Sequence, residues 1–250
     1  RIKIKIRMSG RVGSITTEII ADGLVFNMDA ANRACYPKTG TTSFNTANLT
    51  QSGSLENGVE FIQPPISAST WEFDGTDSYI EISQEPLGLN KAISISSWCK
   101  TSKTLGYGVI INEYNWGSKA NWLLQIKTSY IEWFVWHDDT GTSRTSIEDH
   151  QTNSHNVADG NWHNIVGTWD GTTNLNGFKL FLDGAEIFQT SSMVTGINTE
   201  SVPATIGNAS DQNSGYQPWD GAISSVQIYD RGLSSTEVLH NYNALKGRFG

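Results

Sequence analysis

The stretch Asp159–Gly184, DGNWHNIVGTWDGTTNLNGFKLFLDG, decides the fold. Asp159-Gly160 marks a turn, and His163–Trp169 then alternates as a half-buried strand does. Asp170-Gly171 opens a polar loop, Phe178–Leu182 is a second strand, and Asp183-Gly184 turns the chain again. Two strands in succession, each ended by an Asp-Gly turn, predict antiparallel β-structure.

Upstream, Asn121–Lys127 and Tyr130–His137 read as a hairpin closed by Thr128-Ser129. With Lys127 opposite Tyr130, the residues Trp122, Leu124 and Ile126 face Val135, Trp133 and Ile131, an apolar set for the core. The other face carries Asn121 with Trp136, Leu123 with Phe134, and Gln125 with Glu132. Thr-Ser is not a favoured pair for such a loop, and a one-residue slip in the register would flip every side chain to the other face.

Composition agrees with a β-sandwich: 24 Gly, nine Trp and eight Tyr among 250 residues, with few charges. No apolar run approaches the ~20 residues needed to span a bilayer, so no membrane insertion is expected. Cys99, behind Trp98 in a strand-like run, reads as a buried free thiol rather than half of a disulfide. Charge is uneven: residues 1–20 hold five Arg/Lys and one Glu, net +4, which leaves −12 for residues 21–250 of a total of −8. An acidic body argues against nucleic acid as the partner.

Here the residues reach a family. The run D-G-x-W-H-x-I-V-G-T-W-D-G followed by K-L-F-L-D-G resembles the centre of laminin-G-like, concanavalin A-like jelly-roll domains. Trp71–Ile82 (WEFDGTDSYIEI), Ala92–Lys100 (AISISSWCK), Ala204–Asn208 (ATIGN), Trp219–Asp230 (WDGAISSVQIYD) and the ending Y-D-R-x-L-S-x-x-E-V are similar to the same family. Gly23–Asp29 (GLVFNMD) with the following AANRACYPKTGTT resembles the opening of such domains in virion proteins of tailed bacteriophages. The resemblance implies a habit of binding glycans or proteins, and no reaction. The expected fold is all-β, a two-sheet antiparallel jelly roll of roughly twelve to fourteen strands. One short C-terminal helix follows, with a Ser234/Glu237 capping box, Val238, Leu239, Tyr242 and Leu245 on one face, and Gly247 to stop it. Trp98, Trp133, Trp162 and Trp169 are expected in the core. Residues 22–250 form the sandwich domain, and residues 1–21 an N-terminal arm and linker.

In that arm, Ile2, Ile4, Ile6 and Met8 alternate strictly with Arg1, Lys3, Lys5 and Arg7, so a strand formed there has one apolar face. It either adds to another virion protein or a second copy of the chain, as an anchor, or pairs at the edge of its own sandwich.

Three kinds of site are weighed. For catalysis, the nearest acid pair is Glu72 and Asp74, roughly 7 Å apart as i, i+2 strand neighbours. Asp74 lies in the Asp-Gly turn, however, and Glu132 has no second acid within easy reach on its strand face, so no enzyme is expected. For metal, the resemblance implies a structural calcium held by Asn27 or Asp29, the Gly75 carbonyl and Asp220; the alternative is that Asp74 and Asp220 only make turns. For glycan, Trp136 with Asn121, Gln125 and Glu132 offers an aromatic plane beside hydrogen-bonding groups; the alternative is a face covered by other chain. The function these readings converge on is a non-enzymatic adhesion protein at the virion surface of a tailed phage. A secreted or cell-surface carbohydrate-binding module is the second reading, and a glycosidase on the same fold the third.

Overall fold

The computed structural model describes residues 19–65, 67–83, 91–104, 106–115, 119–138, 143–149, 155–192, 195–199, 202–209 and 217–250. Among the described residues, sixteen strands form two eight-stranded antiparallel sheets. Sheet A runs β14 (Ala185–Thr190), β13 (Phe178–Leu182), β12 (Trp162–Trp169), β7 (Ile93–Lys100), β16 (Asp220–Tyr229), β5 (Thr70–Asp74) and β4 (Glu60–Ile62), with β1 (Leu24–Asp29) also paired to β16. Sheet B runs β11 (Arg144–Glu148), β10 (Tyr130–Trp136), β9 (Lys119–Lys127), β8 (Tyr107–Asn115), β15 (Ala204–Ile206), β6 (Tyr79–Ile82), β3 (Ser52–Glu56) and β2 (Thr42–Phe44).

The opening stretch behaves as its turns dictate. Strands β12 and β13 pair from Trp169↔Phe178 to Ile165↔Leu182. Strand β14 follows through the two-residue turn Asp183-Gly184, whose φ angles of 51° and 80° suit a tight hairpin turn. His163 fastens this unit: its Nδ1 lies 2.8 Å from Asp183 and its Nε2 3.2 Å from Asp159, so one imidazole bridges two Asp-Gly turns. The hydrogen bond to Asp183, outweighing burial, raises its pKa above the ordinary histidine value. Gly167 explains the V-G-T-W run, since a Cβ there would sit 2.6 Å from the Trp133 indole. The indole packs on bare backbone and stacks on Phe178 across the sandwich at 5.6 Å.

The F-D-G-x-D-x-Y-I segment is a strand, a turn and a strand, as expected, but it is no hairpin. Strand β5 belongs to sheet A and β6 to sheet B, so the turn carries the chain across the sandwich. Asp74 builds that turn by accepting from the backbones of Thr76, Asp77 and Ser78 and from the Ser78 hydroxyl. Burial opposes its ionisation, and these donors outweigh it, holding the carboxyl below its usual pKa.

The helix α1 (Ser235–Leu245) begins with the expected capping box of Ser234 and Glu237. Arg231 grips Glu237 through two bonds of 3.0 and 2.7 Å, which holds that carboxyl down at about 2. The R-x-L-S-x-x-E ending is therefore a helix-start clamp. Its buried face is Val238, Asn241 and Leu245; Leu239 is 46% exposed, a correction to its place on the packed face. Asn241 takes the central position by bonding the Tyr229 hydroxyl and the Ile20 amide. Cys35 and Cys99 are free and buried, and burial pushes both thiols up, Cys35 to about 11.

Candidate functional site

The hairpin register of β9 and β10 is as read: Lys127↔Tyr130, Gln125↔Glu132, Leu124↔Trp133 and Trp122↔Val135. Thr128 allows the tight loop by adopting a φ of 61°. Trp136 does lie off the main core, yet the face it shares with Asn121, Gln125 and Glu132 is closed. The four residues are 4%, 1%, 3% and 2% exposed. Trp136 stacks on Tyr114 and Phe134 and joins Val109, Ala120, Leu123 and Ala209 in a second apolar cluster. Asn198 donates from its backbone to the Trp136 carbonyl and from its side chain to the Ala120 carbonyl. Gln125 donates to Glu132 at 2.6 Å, and Lys127 approaches the same carboxylate at 3.7 Å. The expected open aromatic plane is thus corrected in its exposure, while the register stands.

The outer face of sheet A is different. In register across it, Glu72, Ala222, Lys100 and Trp162 stand in one row, and Asp29, Ser225, Trp98 and Asn164 in the next. Beyond these, Val238 of α1 and Leu233, just before the helix, pack with Val166, Phe181 and Tyr229. Trp98 and Trp162 were expected in the core; both project from this outer face instead. Trp98 is buried beneath the C-terminal turn, stacked on Phe249 at 4.0 Å and on Tyr242 at 5.5 Å. Arg248 fixes the turn with a two-pronged bond to the fully buried Asp29, at 2.8 and 2.7 Å.

Trp162 is only half-buried and separates two depressions that share Lys100, Gly160 and Trp162 itself. One, of 390 Å³, is walled by Thr70, Glu72, Thr101 and Asp220. The other, of 450 Å³, is walled by Trp98, Asn161, Asp183, Tyr242 and Phe249. Together they make one open trough with an aromatic centre and a polar rim. Glu72 accepts from the Thr70 hydroxyl at 2.9 Å. Lys100 is exposed at the middle of the trough. The register could have revealed this: Lys100 ends β7 and Trp162 begins β12, so the two face each other at the mouth of the pair.

The calcium set does not converge. Asp220 and Gly75 are neighbours, but the Lys103 ammonium lies beside both, 3.4 Å from the Gly75 carbonyl and 3.9 Å from Asp220. An ammonium group already supplies the positive charge there. Asp29 opposes Ser225, five residues along β16 from Asp220, which at about 3.3 Å per residue separates them by roughly 15 Å. Its carboxylate is filled by Arg248, and Asn27 bonds Thr46, Asn45 and Gln227. Among the described residues no group of three or more His, Cys, Asp or Glu gathers as a metal site. The arm residues Ile2, Ile4, Ile6 and Met8 lie outside the described residues. Among those described, no helix is long and apolar enough to cross a membrane.

With this geometry in hand, comparisons place the chain. Its fold matches the binding domain of Paraclostridial Mosquitocidal Protein 1 with a TM-score of 0.63 at 15% identity, over 90% of this chain and 52% of that one. The binding domain of botulinum neurotoxin DC, solved with rat synaptotagmin II, gives 0.64 at 15% identity, with the same coverages. The same toxin domain has also been solved in complex with SialylT, with a TM-score of 0.63 at 15% identity and again 90% and 52% coverage. A rat (Rattus norvegicus) protein, "Sushi, von Willebrand factor type A, EGF and pentraxin domain-containing protein 1", is 28% identical over 156 residues, 59% of this chain and only 4% of that protein. The chain therefore spans about half of the solved structures it resembles and a small fraction of the rat protein. Residues 74–239 match the family model of the concanavalin A-like lectin/glucanases superfamily, and the chain belongs to that family.

Proposed function

We propose that the chain is a non-enzymatic binding module that takes an oligosaccharide in the trough across Trp162 on sheet A. The observation that carries this reading is the half-exposed indole at the centre of two polar-rimmed depressions, on a lectin-type sandwich. A sugar ring needs a flat aromatic surface for its C–H face and hydrogen-bonding groups at its edge. Trp162 offers the first, and Glu72, Lys100, Asn161 and Asp220 the second. A trough with two basins suits a chain of sugars better than a single one. The carboxylates lining the trough have structural partners, Glu72 in Thr70, Asp183 in His163 and Asp220 in Lys103, which supports binding without turnover.

We also propose that the module is displayed on a larger assembly, a tailed-phage virion on our reading, attached by residues 1–21; the alternating apolar and basic pattern of Arg1–Met8 supports this. A module within a long extracellular protein is the second reading, favoured by the rat relative, of which this chain matches a small part. The test of the binding reading is a glycan array with wild type and Trp162→Ala. Binding to a defined set of oligosaccharides, lost in a Trp162→Ala protein that stays folded, is expected. No glycan bound, or binding indifferent to the substitution, overturns it. Removing residues 1–20 tests the attachment: the sandwich should keep its melting temperature and lose its place in the assembly.

A further inference from the structure

Three neighbouring polar atoms on the outer face of sheet A are buried and have no hydrogen-bond partner: Trp98 Nε1, Asn164 Oδ1 and Ser225 Oγ. Their residues are 3%, 2% and 0% exposed and stand side by side in register on β7, β12 and β16. A buried donor or acceptor left unpaired typically costs about 1–3 kcal/mol, so three together call for an explanation. Trp98 is covered by two rings, Phe249, parallel to it within 8° at 4.0 Å, and Tyr242 at 5.5 Å. A benzene ring satisfies the aromatic floor and none of the polar atoms.

A pyranose ring would satisfy both, stacking its C–H face on Trp98 and sharing hydroxyls with Asn164 and Ser225. We propose that Trp98, Asn164 and Ser225 form an inner sugar subsite, with Phe249 as its resident gate. The proposal rests on the trough reading above, because Trp98 and Phe249 are themselves walls of the second basin. A sugar chain lying over Trp162 would reach this subsite with its next unit. The gate is local. Arg248 remains bonded to Asp29 and keeps the turn in place, while the neighbouring Phe249 ring, half-buried and resting on Trp98 and Trp162, can swing away.

The experiment is titration calorimetry of wild type, Phe249→Ala and Ser225→Ala with ladders of two to six units of cello-, malto- and chito-oligosaccharides, together with any array-selected glycan. Phe249→Ala should bind about three- to tenfold more tightly, the equivalent of one aromatic stack no longer displaced. Ser225→Ala should bind up to about tenfold more weakly, a lost hydrogen bond, while its melting temperature holds or rises because an unpaired buried hydroxyl has gone. That opposition between affinity and stability is not what a purely structural serine gives. Wild-type binding with both variants unchanged would overturn the inner subsite and leave the trough reading intact. No binding by any of the three proteins would overturn both.

Discussion

The two outer faces of this sandwich carry the same kinds of residue and have opposite fates. On sheet B, Trp136, Asn121, Gln125 and Glu132 are sealed, with rings stacked on rings and amides bonded to carboxylates. On sheet A, Trp162 and Lys100 stand over open depressions, and the neighbouring Trp98 is covered by Phe249 and by Tyr242 of α1. An aromatic beside an amide and a carboxylate is thus not a binding site by composition. Whether it binds or packs depends on what lies above it, and that is decided by distant segments such as Asn198 on one face and Phe249 on the other.

The strongest way to break this contrast is to truncate both tryptophans and compare unfolding in urea. Trp136→Ala should cost about 3–5 kcal/mol, as large-to-small changes in packed sites do. Trp162→Ala should cost less, about 1–2 kcal/mol, because the indole is half-buried and packs only partly, on Phe249. Equal losses would erase the distinction between a packed face and a presented one. Next in size, Arg248→Ala leaves the Asp29 carboxylate buried without its ion partner and should destabilise by about 3 kcal/mol. Arg248→Ala together with Asp29→Asn should recover part of that loss. If the single variant is neutral, the tail does not hold the covered half of sheet A.

A smaller effect separates the two faces by pH. The folded pKa of His163 is raised, chiefly by its bond to Asp183, so the charged imidazole clamps the Asp-Gly turns at Asp159 and Asp183. Its contribution is fully present below the unfolded value of about 6.5 and is lost as pH rises through the higher folded value. Urea midpoints measured from pH 5.5 to 8.5 should show this decline in wild type and a reduced one in His163→Gln. The smallest effect expected lies at the sheet B hairpin. Thr128 is a β-branched residue at positive φ, a strain of order 1–3 kcal/mol that glycine relieves at about 0.5–1 kcal/mol of extra chain entropy. Thr128→Gly should therefore stabilise by about 1 kcal/mol; a loss would mean the methyl or hydroxyl makes a needed contact.

Much of the architecture was legible because it is local. Alternation and loop length gave the β9–β10 pairing residue by residue, and Asp-Gly turns gave β12 and β13. The sites were less legible because they are made by coverage. In AISISSWCK, serines fill both faces of a strand buried on both sides, so no alternation shows that Trp98 points away from the core. Strands β11 and β14 are edge strands with few apolar residues and left little pattern. The resemblance gathered Asn27, Asp29, Gly75 and Asp220 into one set, while this chain spreads them along residues 220–227 of β16 and pairs their carboxylates with Lys103 and Arg248.

Strand β16 also governs the order in which the molecule can be made. It pairs with β1, β5 and β7 at once, and its Gln227 bonds Asn27 from 200 residues away. A ribosome adding about 5–20 residues per second delivers β16 roughly 10–40 s after β1. Through that interval β1 has no ladder partner, and β5 and β7 each lack one of theirs, with the indoles of Trp71 and Trp98 uncovered. Such distant pairing folds slowly, so β1, β5 and β7 of the nascent chain need shielding from neighbouring chains until β16 emerges.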